Sequence, residues 1–233
     1  MGRTVRNGRL AVSGFFLFGI VLATQIITSG WRTQVYADQF PSLQQAVDAL
    51  PPIGGTVSLP CGSYGPVTIS KPNVAIIGSG DCSIITAPAA GSTGIVTVTR
   101  GATHTIISSL RILGQAIDPS TVQRCVYLTG GSSGTTIQHV KFGGNTTGAG
   151  CNIQIHVDST SSGNLITMNT FMQVIGVASV RGDGMLIEAN NRNTIAQNVS
   201  LWTASRAAFP VYPAAASSAR GILSDKLASG ARD

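Results

Sequence analysis

Four stretches of the chain repeat one arrangement of apolar and polar positions at a nearly constant stride: residues 95–112, 125–142, 153–171 and 185–202. Each opens with an apolar pair at i and i+2, passes through a polar turn and closes on a second apolar cluster. The pairs are Val96/Val98, Val126/Leu128, Ile155/Val157 and Met185/Ile187, and their second members step by 30, 29 and 30 residues. The second clusters begin at Ile106, Ile137, Ile166 and Ile195, with steps of 31, 29 and 29. Alternation at i, i+2 in runs rich in Val, Ile and Thr predicts strands, and no helical spacing competes with it there. A stride of this length marks units that bury their apolar faces against one another. The L-x-x-L-x-L frame of leucine-rich repeats is missing, and a propeller blade needs a longer unit with more strands. The pattern therefore predicts a parallel β-helix with one coil per repeat.

Ahead of these coils, residues 40–50 predict a short amphipathic helix. Pro41 stands at its start, and Leu43, Ala46, Val47 and Leu50 share one face. Pro51 and Pro52 stop it, Gly54-Gly55 turns into a strand at Thr56–Leu59, and further strand runs follow at 65–69, 73–78 and 83–86. The residues Gly54, Gly55, Thr56, Val57, Leu59, Pro60, Gly62 and Tyr64, then Val74, Ile76, Gly78 and Gly80, resemble the opening of the pectate lyase-like superfamily. The resemblance spans residues 38–202. It implies an all-β, right-handed, single-stranded parallel β-helix whose short N-terminal helix caps the open end of the solenoid. It is specific for fold and poor for chemistry, because that superfamily holds lyases, hydrolases, epimerases, esterases and phage tail proteins. Beyond Thr203 the alternation gives way to an Ala/Ser-rich tail, 203–233, expected to be disordered or truncated.

Composition adds a compartment. Arg3, Arg6 and Arg9 precede an apolar run from Leu10 to Ala23, as in a secretory leader. Small-residue cleavage patterns end at Ala23 and at Ala37, and the second is preferred because the folded pattern starts at Asp38. The expectation is thus a leader at 1–37, export to the extracellular space or periplasm, and no stable span after cleavage. The alternative is an uncleaved anchor reaching Ile27. The net charge of +6 includes four arginines and no acid in residues 1–37, and 6 − 4 leaves +2 for the rest. No basic stripe remains to attract nucleic acid. The four cysteines permit three pairings in an exported chain. Cys61 and Cys82 are 21 apart and Cys125 and Cys151 are 26 apart, each close to one coil, so these two pairs are expected. No C-x-x-C spacing suggests zinc.

Stacking the repeats in register brings candidate chemistry together. Flanking the inward residues are Thr97/Thr99, Tyr127/Thr129, His156/Asp158 and Leu186/Glu188. Asp158 and Glu188 share a phase in adjacent coils, about 4.8 Å apart along the stack. Stacked carboxylates either retain a proton or hold a Ca²⁺ between them, so both are candidate acids and metal ligands. His156 lies on the same face, and Tyr127 sits one coil below as a substrate-binding candidate. The resemblance implies an arginine near the acids to take the proton α to a uronate carboxyl, with a cation neutralising that carboxyl. Arg181 is the expected catalytic arginine, Arg124 and Arg111 being alternatives. The bland counterpart is solvated surface acids and a turn ion pair around Arg181 and Asp183.

Other motifs are absent or structural. The Asn-Thr-Asp, Asp-Asp, Gly-His-Gly and Arg-Ile-Lys set of the polygalacturonases does not occur, which disfavours that hydrolysis. The column His104, Thr135, Asn164, Asn193 and the pair Asn169/Asn198 predict ladders of side chains bonding along the stack. No P-loop, dinucleotide fingerprint or Gly-x-Ser-x-Gly elbow appears. Two readings result. One is a secreted carbohydrate-active protein acting on an acidic polysaccharide by lyase-type or epimerase chemistry. The other is a non-catalytic β-helix: an adhesin, a binding module or a remnant of a longer enzyme.

Overall fold

The computed structural model describes residues 33–87, 94–114, 122–143, 151–172, 183–188, 192–201 and 211–213. They all belong to one compact unit, Thr33–Asp233. Its architecture is the parallel β-solenoid that the stride predicts, and every registered strand pair among the described residues is parallel. One sheet of six strands stacks Val67–Ile69, Gly94–Val98, Arg124–Leu128, Ile153–Val157, Asp183–Ile187 and Val211–Pro213. A larger sheet runs from Gln34–Tyr36 through Gly55–Leu59, Val74–Gly78, Ile106–Leu113 and Thr136–Phe142 to the later coils. Val211–Pro213 lies inside the segment expected to be a loose tail, and it pairs with Met185–Ile187.

The core is the set of inward columns that the alternation foretells. Val98, Leu128 and Val157 are fully buried, and Ile187 is nearly so. They are mutual partners in register, as are Val96, Val126, Ile155 and Met185. Phe142 stacks on Phe171 with ring centroids 5.0 Å apart, both rings buried within the stack. The helix Leu43–Asp48 buries Leu43, Ala46 and Val47, and Ser42 caps it by accepting the Gln45 N–H at 3.2 Å. Lys71 Nζ donates to the carbonyls of Val47, Asp48 and Leu50, closing its C-terminal end. The helix is the only α-helix among the described residues and sits at the N-terminal end of the solenoid, consistent with a cap.

Register corrects one detail of the sequence reading by a single residue. The inward partner of Ile137, Ile166 and Ile195 is Ile107, not Ile106. Likewise Thr105, not His104, aligns with Thr135, Asn164 and Asn193. The steps become 30, 29 and 29, and the irregular 31 disappears. His104 instead belongs to a column of left-handed residues that turn the chain: Asn73, His104, Gly134, Gly163 and Arg192, with φ between 54° and 66°. A second column, Ser109, His139, Met168 and Gln197, makes the next corner at φ 53–57°. Left-handed backbone is costly for residues with a Cβ; Gly134 and Gly163 avoid that cost at the first corner, whereas the second column bears it at every position named.

Both expected disulfides are present, Cys61–Cys82 and Cys125–Cys151, and no cysteine is free. Among the described residues, no helix is long and apolar enough to cross a membrane.

Candidate functional site

The outer face of the six-stranded sheet carries the polar cluster. Tyr127 and His156 stand between inward residues on neighbouring strands and pair directly in register, so their rings project side by side. The rings stack with centroids 4.8 Å apart and an interplanar angle of 24°. Arg124, at the start of the Tyr127 strand, lays its guanidinium over the tyrosine ring at 4.6 Å. It then reaches across the coil, and its Nε–H donates to His156 Nδ1 at 2.6 Å. On the opposite side of the imidazole, Nε2 lies 2.8 Å from Glu188 Oε1. Glu188 follows the next strand, its backbone N–H continuing the ladder to Val157 O at 2.9 Å.

These contacts fix the state of the ring. An arginine has no acceptor, so Nδ1 must offer its lone pair, and the proton of the neutral imidazole resides on Nε2. His156 Nε2–H therefore donates to Glu188 Oε1. The pair is a hydrogen bond to a carboxylate and not an ion pair. Burial lowers the His156 pKa, as does the Arg124 charge; the Glu188 hydrogen bond and the charges of Glu188 and Asp158 pull it up but do not prevail. The His156 side chain is 4% exposed, whereas the Glu188 side chain is 40% exposed. The site thus presents a half-buried guanidinium lying on a phenol, with a carboxylate across a buried imidazole from them.

Asp158 is differently employed. Its Oδ1 accepts from the N–H and hydroxyl of both Thr160 and Ser161 at 2.8–3.0 Å, and its Oδ2 accepts from Gly130 N at 2.8 Å. Burial would raise its pKa, but hydrogen bonds from Thr129, Thr160, Gly130 and Ser161 outweigh that and hold it well below the usual carboxylate range. These donors fill the oxygens that a Ca²⁺ would need, and Glu188 already serves His156 and Ser159 N. Among the described residues, no group of three potential ligands could hold a metal ion. As a calcium site the two acids fit poorly.

The structure thus brings Tyr127, His156 and Glu188 together, with Asp158 alongside as a turn anchor. Arg181 lies outside the described residues, and Arg124 occupies the place expected of a site arginine. Sequence alternation left Arg124 an alternative behind Arg181, because strict i, i+2 phasing with inward Val126 would turn it into the core. The strand breaks alternation at its first two residues, Cys125 being buried as well as Val126. Arg111 belongs elsewhere: it is on the larger sheet and donates to Gly143 O at 3.0 Å.

No family model and no curated protein matches the chain. Three solved structures share distant likeness. An alginate lyase from Paenibacillus sp. str. FPU-7 is 13% identical with a TM-score of 0.49, over 72% of this chain and 57% of the lyase. A pectin methylesterase in complex with a hexasaccharide is 16% identical with a TM-score of 0.41, over 68% and 62%. A Geobacillus virus E2 protein, ORF18, is 15% identical with a TM-score of 0.35, over 84% and 44%. The chain therefore spans about three fifths of the lyase and esterase chains it is similar to. At such identities a likeness concerns fold alone, and the chemistry has to be read from the residues.

Proposed function

We propose that this is a carbohydrate-active β-solenoid protein acting on an acidic polysaccharide by lyase-type chemistry on the outer face of the six-stranded sheet. The observation that carries the reading is the file Arg124–His156–Glu188 flanked by Tyr127. Arg124 uses only Nε on His156 among the described residues, so its outer N–H groups can pair with a uronate carboxylate and stabilise negative charge as it develops. Glu188, held in place by the His156 Nε2–H, is the base for the proton α to that carboxyl. The C–H bond breaks, its electron pair forms the new C=C bond, and the glycosidic C–O bond at the adjacent carbon breaks. The departing oxygen takes a proton from the Tyr127 hydroxyl or from water. Return of a proton to the opposite face of the same carbanion would give epimerisation, which needs the same first step. His156 is a positioning residue, since it is buried and holds the two charged groups at a set separation.

The test is incubation of the protein with alginate or polygalacturonate while following the ultraviolet absorbance of the unsaturated product. Turnover is expected, with a loss of roughly 100-fold or more in Glu188→Gln. Binding without product would favour the second reading, a polysaccharide-binding module. That reading draws support from Asp158, whose acceptors are spent on a turn.

A further inference from the structure

The preferred leader cut, after Ala37, meets an obstacle in the fold. Gln34–Tyr36 is the first strand of the larger sheet, with Gln34, Val35 and Tyr36 paired in parallel to Thr56, Val57 and Ser58. Thr56 N–H donates to Thr33 O at 2.8 Å, and Gln34 Nε2 donates to Ser58 Oγ at 2.9 Å. Ala37 is 2% exposed within the core, and Val35 packs against it. The sequence of the next strand is fitted to this neighbour: a Cβ on Gly55 would lie 2.5 Å from Thr33 O and 3.0 Å from Leu50 Cδ2. Removing residues up to Ala37 would strip these partners and leave Gly55–Leu59 as an unpaired edge over a core that includes the fully buried Val57.

We propose that the leader is removed upstream, after Ala23, so that Gln34–Tyr36 remains as the first strand of the mature domain. The Val21-Leu22-Ala23 pattern has the small residues that a leader peptidase requires and leaves the strand intact. The inference is independent of the activity proposed above. It is tested by exporting the full chain from an oxidising host and reading the intact mass and N-terminal sequence of the folded product. A start at Thr24 is the expected result; a start at Asp38, or an unprocessed chain, overturns the proposal. In parallel, a chain made to start at Asp38 should melt at least about 5 °C below one starting at Thr24, or fail to fold. Gly55→Ala supplies the second measurement. It should lower the melting temperature of the Thr24 chain, where the methyl meets Thr33 O. Equal melting of the two starts, or no effect of Gly55→Ala in the longer chain, would sink the idea.

Discussion

His156 answers two neighbours with opposite demands: Arg124 needs an acceptor at Nδ1 and Glu188 a donor at Nε2. Only the neutral ring meets both, and burial, the largest influence, pushes the pKa the same way, below 6.5. An unfolded chain takes up a proton at pH 6.5 that the folded chain refuses. The stability tied to His156 is therefore complete above that pH and is lost as pH falls below it, down to the lowered folded-state pKa. Asp158 has the reverse chemistry, a carboxyl held low by its donors. Its contribution is present above the ordinary value of 3.8 and is lost only as pH falls further. The melting temperature should thus begin to decline just below pH 6.5, well before the carboxylates titrate, and His156→Asn should flatten that early decline. A curve flat down to about pH 4, near the ordinary Asp value, would refute the assigned ring state. Calcium should leave the melting temperature unchanged, since Asp158 has no oxygen to spare; a rise that Glu188→Gln abolishes would restore the metal reading. At this scale the sequence showed that Tyr127, His156 and Glu188 share a face. It offered Arg124 only as an alternative to Arg181, because a break in strand alternation is set by packing around the buried Cys125 and not by any local residue pattern.

The corners of the coils are held by side-chain ladders. Asn169 Oδ1 accepts from Val140 N at 3.0 Å, while its Nδ2 donates to Ile137 O and to Asn198 Oδ1. Asn198 repeats the motif one coil on, accepting from Asn169 N and donating to Ile166 O. Each amide thus satisfies backbone groups that the corner leaves without ladder partners. Asn169→Ala should cost about 2 kcal/mol or more in urea unfolding, because a buried N–H and a buried C=O lose their partner together. The other ladder runs from Asn193 through Asn164 to Thr135 N and ends there: the Thr105 and Thr135 hydroxyls are buried without a hydrogen-bond partner among the described residues. Thr135→Val should consequently stabilise by about 1 kcal/mol, a methyl replacing an unsatisfied hydroxyl of similar shape. Destabilisation of that size would mean that the hydroxyl has a partner. The Asn ladders were legible because equal spacing stacks equal residues. The one-residue slip at Ile106 and His104 arose because a run of two isoleucines gives no phase. The step of 31 beside two of 29 was the trace of it.

For the whole solenoid, the disulfides divide by exposure. Cys125 and Cys151 are fully buried in the core, whereas Cys61 and Cys82 lie at the surface of the first coils. Thiol exchange requires a thiolate to reach a sulfur, so access decides which bond opens under native conditions. Mild reductant should open Cys61–Cys82 first, and Cys125–Cys151 should resist until the chain unfolds. The loops they close are similar, with separations of 21 and 26 residues, so the chain-entropy term is about 3 kcal/mol for each. The consequences differ nonetheless. A solenoid is stabilised by each coil on its neighbours, and Cys151 immediately precedes the coil that carries Asn152, His156 and Asp158. Asn152 Oδ1 accepts from Gln123 N at 2.8 Å beside the bond, tying the same two coils. Losing Cys125–Cys151 should therefore disturb the site as well as the stack. The Cys125→Ala, Cys151→Ala double variant should unfold at lower urea and also lose the early pH dependence of melting that reports the Arg124–His156 contact. Removal of Cys61–Cys82 should lower stability by a comparable amount and leave that pH dependence in place. The two double variants, melted between about pH 5 and 8, where His titrates, separate a local staple from one coupled to the outer face. Identical pH profiles would show that neither disulfide is coupled to it.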